Sequence, residues 1–188
     1  MNKNTTKVVI GNLKMNGSLS FYDEYLKLLT SKLSDINNIN VGLCIPYPYL
    51  AQAQSILNGS NISWGAQNIA KFENGPHTGE VSAAMLNEFG VQYVIVGHSE
   101  RSTAYCESNE NIADKFNEVK KHNMTPVLCV GENLIEREAG IMEKVVASQI
   151  ETIIKCYGVE IFANSIIAYE PIWAIGTDMA ASPEQTNH

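Results

Sequence analysis

The stretch Ala168–Asp178, which reads A-Y-E-P-I-W-A-I-G-T-D, decides how the rest of this sequence is interpreted. The apolar run that ends at Tyr169 is followed by Glu170 and then by Pro171, which cannot donate a backbone hydrogen bond to a sheet. A strand should therefore stop there, with a carboxylate at its C-terminal end. Residues 172–176 are apolar and end in a flexible glycine, a pattern typical of a loop that closes over a site and excludes water. The alternative is a surface glutamate with a hydrophobic loop packed on the protein body.

Five short apolar runs precede this one, and all six alternate with helical patterns. The six runs are residues 7–11, 41–45, 62–66, 93–96, 127–130 and 165–169. Strands that are apolar throughout are buried on both faces, which predicts a parallel sheet with crossover helices and hence an α/β fold. Three of the intervening helices show an apolar face at helical spacing. The residues of these faces are Phe21, Tyr25, Leu28 and Leu29; Ile112, Phe116 and Val119; and Val146, Ile150, Ile153 and Tyr157.

Polar residues that could take part in chemistry follow the predicted strands. They are Asn12 and Lys14, Gln67, His98, Glu132 and Glu170. In a parallel sheet the C-terminal strand ends lie on one side, and a β/α barrel gathers them into one ring, where enzymes of that fold place their sites. A doubly wound sheet would also bring them to one edge. The first strand is not followed by G-x-G-x-x-G, which argues against a dinucleotide site.

Composition narrows the classes of partner. The 188 residues carry 13 Lys and Arg against 20 Asp and Glu, a formal net charge of −7, which argues against nucleic acid or an anionic membrane as a partner. The four cysteines show neither C-x-x-C nor metal-ligand spacing, so we expect reduced thiols, a cytoplasmic location and no metal. No signal peptide or apolar run of membrane-spanning length is visible.

The last residues predict the start of another helix. In Ser182–Gln185, serine suits the N-cap, proline the first helical turn, and glutamine completes a capping box. The sequence holds six β/α units of roughly 31 residues each. An eight-unit barrel has ~250 residues, so two units of this length are lacking. We therefore expect the sequence to be a C-terminally shortened form of a longer protein, with its first and sixth strands as open edges.

Three segments, in order along the chain, resemble the signatures of the triosephosphate isomerase family. They are Asn12–Asn16 (N-L-K-M-N), Val96–Arg101 (V-G-H-S-E-R) and Tyr169–Thr177 (Y-E-P-I-W-A-I-G-T). The resemblance implies a single (β/α)8 TIM-barrel domain over residues 1–188, of which the first six β/α units are present and the last two are lacking. It also implies the interconversion of dihydroxyacetone phosphate and D-glyceraldehyde 3-phosphate through an enediolate, a step of glycolysis and gluconeogenesis that needs no cofactor.

The same resemblance assigns the catalytic residues. Glu170 would be the base that moves a proton between the two carbons, and His98 would donate from a neutral imidazole to the substrate oxygens. Lys14 would supply positive charge to the phosphate and the enediolate, and Asn12 would hydrogen-bond the reacting oxygens. Taken singly, these residues have plainer interpretations: a structural histidine, a solvated lysine, and a turn-forming asparagine.

Further residues are expected to bind substrate or support the site. Gly176 would offer its backbone N–H to the phosphate, and Ser99 and Glu100 would open a short helix at the site. Glu100 resembles a second carboxylate of the family, although it could equally be an acid that favours a helix N-terminus. Arg101 and Glu107 resemble a structural ion pair behind the site.

The long polar loop of residues 67–80, which contains Thr78, resembles the loop that docks one subunit of the family on another and predicts a homodimer. The chain departs from the family at Ser102, where many members carry arginine, and at Asp178, where glycine is common at the end of the lid. Asp178 tolerates fewer backbone conformations than glycine, so lid kinetics should differ.

Two other hypotheses remain at this point. One is that the 188-residue chain is an inactive fragment or pseudoenzyme that acts only by association, since the remaining phosphate-binding amides of the family belong to the two lacking strands. The other is a different phosphate-binding barrel enzyme.

Overall fold

The structure is a computed structural model in which residues 7–176 are described. The chain divides into two compact units. The first comprises the residues up to Ile95 together with Glu118–Pro126, and the second comprises Val96–Asn117 and the residues from Val127 onward. Among the described residues, no helix is both long and apolar enough to cross a membrane.

Six strands form where the apolar runs predict them. They are β1 (Lys7–Asn12), β2 (Ile39–Ile45), β3 (Ile62–Ala66), β4 (Tyr93–Val96), β5 (Thr125–Val130) and β6 (Ile166–Tyr169). The last strand ends one residue before Glu170, as the following proline requires. The predicted boundaries are correct to within about two residues.

Seven α-helices lie between the strands. They are α1 (Leu19–Leu33), α2 (Leu50–Leu57), α3 (Ala83–Glu88), α4 (Ser99–Tyr105), α5 (Asn109–Lys121), α6 (Leu134–Glu138) and α7 (Met142–Tyr157), with short 3-10 helices at Tyr47–Tyr49, Val159–Phe162 and Ile172–Ala174. The local sequence determines where three of these helices begin. The side chains of Ser18, Ser82 and Asn133 each accept a backbone N–H from the first turn of α1, α3 and α6, respectively.

In the first unit, strands β1, β2, β3 and β4 are neighbours in that order, and every adjacent pair is parallel. Glycines allow the strands to approach a large side chain. A Cβ on Gly42 would lie 2.9 Å from the ring of Tyr93, and one on Gly65 would lie 2.6 Å from the Tyr93 carbonyl oxygen. The core of this unit includes Leu26 and Ile45, which are fully buried.

In the second unit, β5 and β6 are parallel neighbours, with Val127 opposite Ile166 and Val130 opposite Tyr169. Phe116 of α5 is fully buried and packs on Phe162, with ring centroids 5.1 Å apart. Strand β6 is less buried than β5, since Ile167 is 49% exposed.

The predicted α/β class with six consecutive strand units is confirmed, as is the buried face of α5. The predicted face of α1 is wrong. Tyr22 and Leu26 are buried, whereas Phe21 and Leu28 are 41% and 56% exposed. The stripe on α7 is right for Ile153, although Tyr157 is 38% exposed. The helix start predicted at Ser182–Gln185 lies outside the described residues.

Candidate functional site

His98 follows β4 after one residue, Gly97, and serves as the N-cap of α4. Its Nδ1 accepts the backbone N–H of Glu100 at 3.2 Å, and the residue is 5% exposed. An imidazole nitrogen that accepts a hydrogen bond carries no hydrogen, so the ring hydrogen of the neutral side chain is on Nε2. The helix start therefore fixes the ring and leaves Nε2–H as a donor.

Glu170 lies at the end of β6, where its backbone N–H donates to the Val130 carbonyl at 2.8 Å. Its Oε2 is 3.3 Å from Nε2 of His98, and its side chain is 34% exposed. This oxygen is shielded from solvent and has no hydrogen-bond partner among the described residues. Such an oxygen keeps a free lone pair for a proton, at the cost of leaving a polar atom unsatisfied.

A cavity in the second unit opens beside Glu170. Its walls combine backbone of β5, apolar side chains and a few polar groups. The lining residues are Gly97, Ser99, Ser102, Asn109, Ile112, Leu128, Cys129, Val130, Gly131, Gln149, Glu170 and Ile172. The predicted residue Ser99 and the departure at Ser102 thus line the same cavity as Glu170.

We call residues 170–176 the Glu170 segment, and Glu132 is its anchor. The Glu132 side chain is fully buried and accepts hydrogen bonds from the Tyr169 hydroxyl at 2.9 Å and from Trp173 Nε1 at 2.9 Å. Arg137 Nη1 lies 3.6 Å from the same carboxylate. The Glu132 carbonyl also accepts the N–H of Ile172 at 3.0 Å. Burial, followed by the hydrogen bond to Glu132, raises the pKa of Tyr169.

Sequence reasoning placed Glu132 at a strand end but gave it no role. A carboxylate among the apolar residues of two neighbouring strand ends indicates that hydrogen-bond donors lie close to it, because a buried charge requires partners. Tyr169, just before the Glu170 segment, and Trp173 within it carry side-chain donors, so the pairing could have been proposed.

The remaining predicted residues of the second unit occupy its surface or a nearby ion cluster. Gly176 is exposed with φ of 68°, a conformation that favours glycine. The Glu100 side chain is 53% exposed and its Oε2 lies 3.7 Å from His98 Nδ1. Arg101 Nε pairs with Glu107 Oε1 at 3.4 Å, as predicted, and Lys115, which the sequence did not indicate, contacts the same oxygen. Asp178 lies outside the described residues.

In the first unit, residues 12–17 form what we call the Lys14 segment. Lys14 is half-buried and has φ of 50°, and its N–H donates to Asn12 Oδ1 at 3.0 Å. Asn12 therefore also acts as a turn-former. Gln67 Nε2 donates to the Lys14 carbonyl at 2.9 Å.

Two tyrosines hold the far end of the Lys14 segment. The Tyr22 hydroxyl donates to the Asn16 carbonyl and the Tyr49 hydroxyl to the Gly17 carbonyl, each at 3.0 Å. Gly17 has φ of 127°, and a Cβ there would overlap the Tyr22 ring. Sequence reasoning missed both tyrosines.

The loop of residues 67–80 is anchored at its start by buried Ile69 and by a hydrogen bond from the Ala70 N–H to the Val81 carbonyl at 2.8 Å. Thr78 is exposed, and the ring of Phe72 stacks on His77 with centroids 3.8 Å apart. Within residues 7–176, no group of three or more His, Cys, Asp or Glu is placed to hold a metal ion, and the absence of a cofactor stays a prediction.

Comparison with known proteins gives consistent results. The sequence model of a family described as "Triosephosphate isomerase" matches residues 7–188. A protein named triosephosphate isomerase from Nitrosomonas eutropha is 49% identical over 177 residues, which cover 94% of this chain and 70% of that protein. Proteins of the same name from Thiobacillus denitrificans and Serratia proteamaculans are 49% and 47% identical, over 95% of this chain and 71% and 70% of their own lengths.

Proposed function

The chain belongs to the triosephosphate isomerase family, and we propose that it interconverts dihydroxyacetone phosphate and D-glyceraldehyde 3-phosphate through an enediolate. The observation that carries the proposal is the 3.3 Å approach of Glu170 Oε2 to His98 Nε2. A general base and a hydrogen-bond donor at this separation can act on adjacent atoms of one small substrate.

In this proposal Glu170 removes a proton from the carbon next to the carbonyl and returns it to the neighbouring carbon. Its Oε2 is a suitable acceptor because it has no hydrogen-bond partner among the described residues. General base catalysis of this kind contributes ~10²–10⁴-fold.

His98 would stabilise the charge that the proton transfer leaves on oxygen. Because its Nδ1 accepts the Glu100 N–H, its Nε2–H is available to donate to the carbonyl oxygen and then to the enediolate. A donor aimed in advance at developing charge is worth ~10²–10³-fold in rate.

The other residues would bind and neutralise the substrate. We assign Lys14 to the phosphate and enediolate charge and Asn12 to the reacting oxygens, on the basis of the family motif. The Gly176 N–H, with Ser99 and Glu100 at the start of α4, would contribute to substrate binding. The apolar Glu170 segment would exclude water, which strengthens each of these electrostatic contacts.

The test is a turnover assay on the purified 188-residue chain, with Glu170→Gln purified in parallel. This variant keeps the shape of the side chain but removes the base, and it also measures contaminating host enzyme. We expect turnover by the chain and a loss of at least ~10²-fold in the variant. If the folded chain and the variant have equal turnover, the proposal is wrong. If that equal turnover is no more than background, an associating, non-catalytic protein is favoured.

We further propose a homodimer in which the loop of residues 67–80 docks on a second copy near its Lys14 and His98. Exposed Phe72, 42% accessible, and exposed Thr78 support a contact there. A sedimentation experiment should show a dimer that Thr78→Arg dissociates, while Glu143→Arg, at an exposed position on α7 outside this loop, serves as the control. A monomeric wild type would contradict the proposal.

We also infer a cytoplasmic enzyme of glycolysis and gluconeogenesis. All four cysteines are free, and two of them, Cys44 and Cys129, are buried, which suits a reducing compartment. Fractionation of cells that produce the protein tests the compartment.

A further inference from the structure

The side chain of Gln149, on α7, makes two hydrogen bonds to Gly131, the residue that follows β5. The Gly131 N–H donates to Gln149 Oε1 at 3.0 Å, and Gln149 Nε2 donates to the Gly131 carbonyl at 3.0 Å. The amide side chain thus pairs with the backbone of Gly131 as a neighbouring strand would. Glutamine has the donor and the acceptor that this pairing requires.

Gly131 in turn supports the backbone of Glu170. A Cβ at Gly131 would overlap the Glu170 carbonyl oxygen and lie 2.8 Å from its carbonyl carbon. The residues on either side of Gly131 hold the same segment, since the Val130 carbonyl accepts the Glu170 N–H and the Glu132 carbonyl accepts the Ile172 N–H. Gly131 is therefore the middle residue of the stretch 130–132, which contacts the backbone of the candidate base and which we call the support.

We propose that Gln149 is a positioning residue for Glu170, acting through Gly131. The proposal rests on the isomerase function proposed above. Gln149 and Glu170 line the same cavity, but both polar atoms of Gln149 are bonded to Gly131, so its role is to hold the support and not to touch substrate. Loss of the pairing lets residues 130–132 shift, and the Glu170 carboxylate moves with them. A misplacement of about 1 Å in a reacting group can cost ~10²-fold in rate.

The first variant is Gln149→Met, which keeps the volume of the side chain and removes both hydrogen bonds. We expect kcat to fall tenfold or more while KM stays within about twofold, since no substrate contact is lost. The matched control is Thr152→Val, which removes a hydrogen bond from Thr152 Oγ1 to the Ser148 carbonyl on the same helix without affecting Gly131. That control should keep wild-type kcat.

The second variant is Gln149→Glu, which gives a pH-dependent readout. A protonated carboxyl group can repeat both bonds, whereas a carboxylate has no donor and repels the Gly131 carbonyl. The kcat of this variant relative to wild type should therefore fall as pH rises through the glutamate pKa. It also tests the proposal if Gln149→Met does not fold.

The third readout does not depend on activity. Hydrogen exchange measured by NMR should show faster exchange of the Gly131 and Glu170 amides in Gln149→Met, with the amides of β2 unchanged. If kcat and Glu170 exchange both remain at wild-type values, the positioning role is wrong. If the wild-type chain has no isomerase activity, the proposed function fails; faster Glu170 exchange would still support the positioning role, and unchanged exchange would overturn it.

Discussion

The Lys14 segment and the Glu170 segment each follow a strand end and each carry a candidate catalytic residue, but they are held in different ways. Side-chain donors from Gln67, Tyr22 and Tyr49 hold backbone carbonyls along the Lys14 segment. The Glu170 segment is held at its start by the backbone bonds of Glu170 and Ile172. Farther along, its Trp173 is held by one buried carboxylate, that of Glu132, which also accepts a hydrogen bond from Tyr169.

The two kinds of hydrogen bond differ in what happens to the chain when they break. Bonds to backbone carbonyls fix the path of the chain itself, and Lys14 with its φ of 50° needs such support because this conformation is strained for a residue with a side chain. A side-chain bond such as that from Trp173 to Glu132 can break while the ends of the segment stay in place. We therefore predict that the Lys14 segment is the more fixed of the two and that the part of the Glu170 segment around Trp173 is the part that can open and close.

The largest expected effect is that of Glu170→Asp, which moves the carboxylate of the second segment back by one methylene group. We expect kcat to fall by ~10²-fold or more with little change in KM, because a base about 1 Å out of place reacts poorly. Steady-state kinetics measures both constants. Aspartate turnover within twofold of wild type would show that Glu170 is not the base.

Glu132→Gln tests the anchor of the Glu170 segment. The amide replaces one acceptor oxygen by a donor that faces the donors of Tyr169 and Trp173, so we expect unfolding free energy to fall by about 2–3 kcal/mol. Urea denaturation measures this, and Glu138→Gln, at an exposed position on α6, is the control. Equal midpoints for the two variants would mean that Glu132 does not hold the segment.

Tyr49→Phe tests the anchoring of the Lys14 segment through its Gly17 carbonyl. We expect a loss of about 0.5–1.5 kcal/mol of unfolding free energy, smaller than for Glu132→Gln because the acceptor is neutral and the bond is exposed. KM should rise more than kcat falls if the segment positions Lys14 for the phosphate. A pure fall in kcat would contradict the assignment of this segment to binding.

The smallest expected effect is that of Tyr22 on the pH dependence of stability in the alkaline range. Burial raises the pKa of Tyr22 to about 12, from an ordinary value of 10.0. Between these values the unfolded chain releases the proton and the folded chain keeps it, so this contribution to stability is present below pH 10 and is lost as pH rises to about 12. Burial also raises the pKa of Cys44 to about 12, so the wild type should lose stability over this range from both groups.

Tyr22→Phe should make that alkaline decline shallower by up to one proton. Unfolding free energy measured by urea denaturation at pH 9 to 11 checks the slope. An unchanged slope would mean that Tyr22 does not retain its proton in the folded chain.

Sequence patterns were sufficient for the strands because runs such as residues 127–130 are apolar throughout and end at polar residues. They failed on α1, which has apolar residues around much of its circumference. There the tertiary contacts of Tyr22 with residues 16 and 17 select the buried face, and periodicity does not contain that information. His98 and Glu170 lie in compact motifs with chemically distinctive neighbours, so both could be identified as candidates before any coordinates.

Gln149 and Gly131 could not be identified in this way. A glutamine on α7 has the same local signature as a solvated residue, and its partner lies 18 positions away in sequence. The need for glycine at residue 131 arises only from the close approach of β6's end. Roles that depend on contact between distant backbone segments are absent from local patterns, and the assignment of the site residues remains a prediction.

The two nitrogens of His98 have separate duties. Nδ1 caps the start of α4 by accepting a backbone N–H, and Nε2 faces the carboxylate of Glu170. A substitution of this histidine would remove the helix cap and the donor at once. Asparagine could cap the helix and glutamine could reach outward, but neither side chain does both. Variation at this position should accordingly be far rarer than at neighbouring Ser102, whatever organism carries the chain.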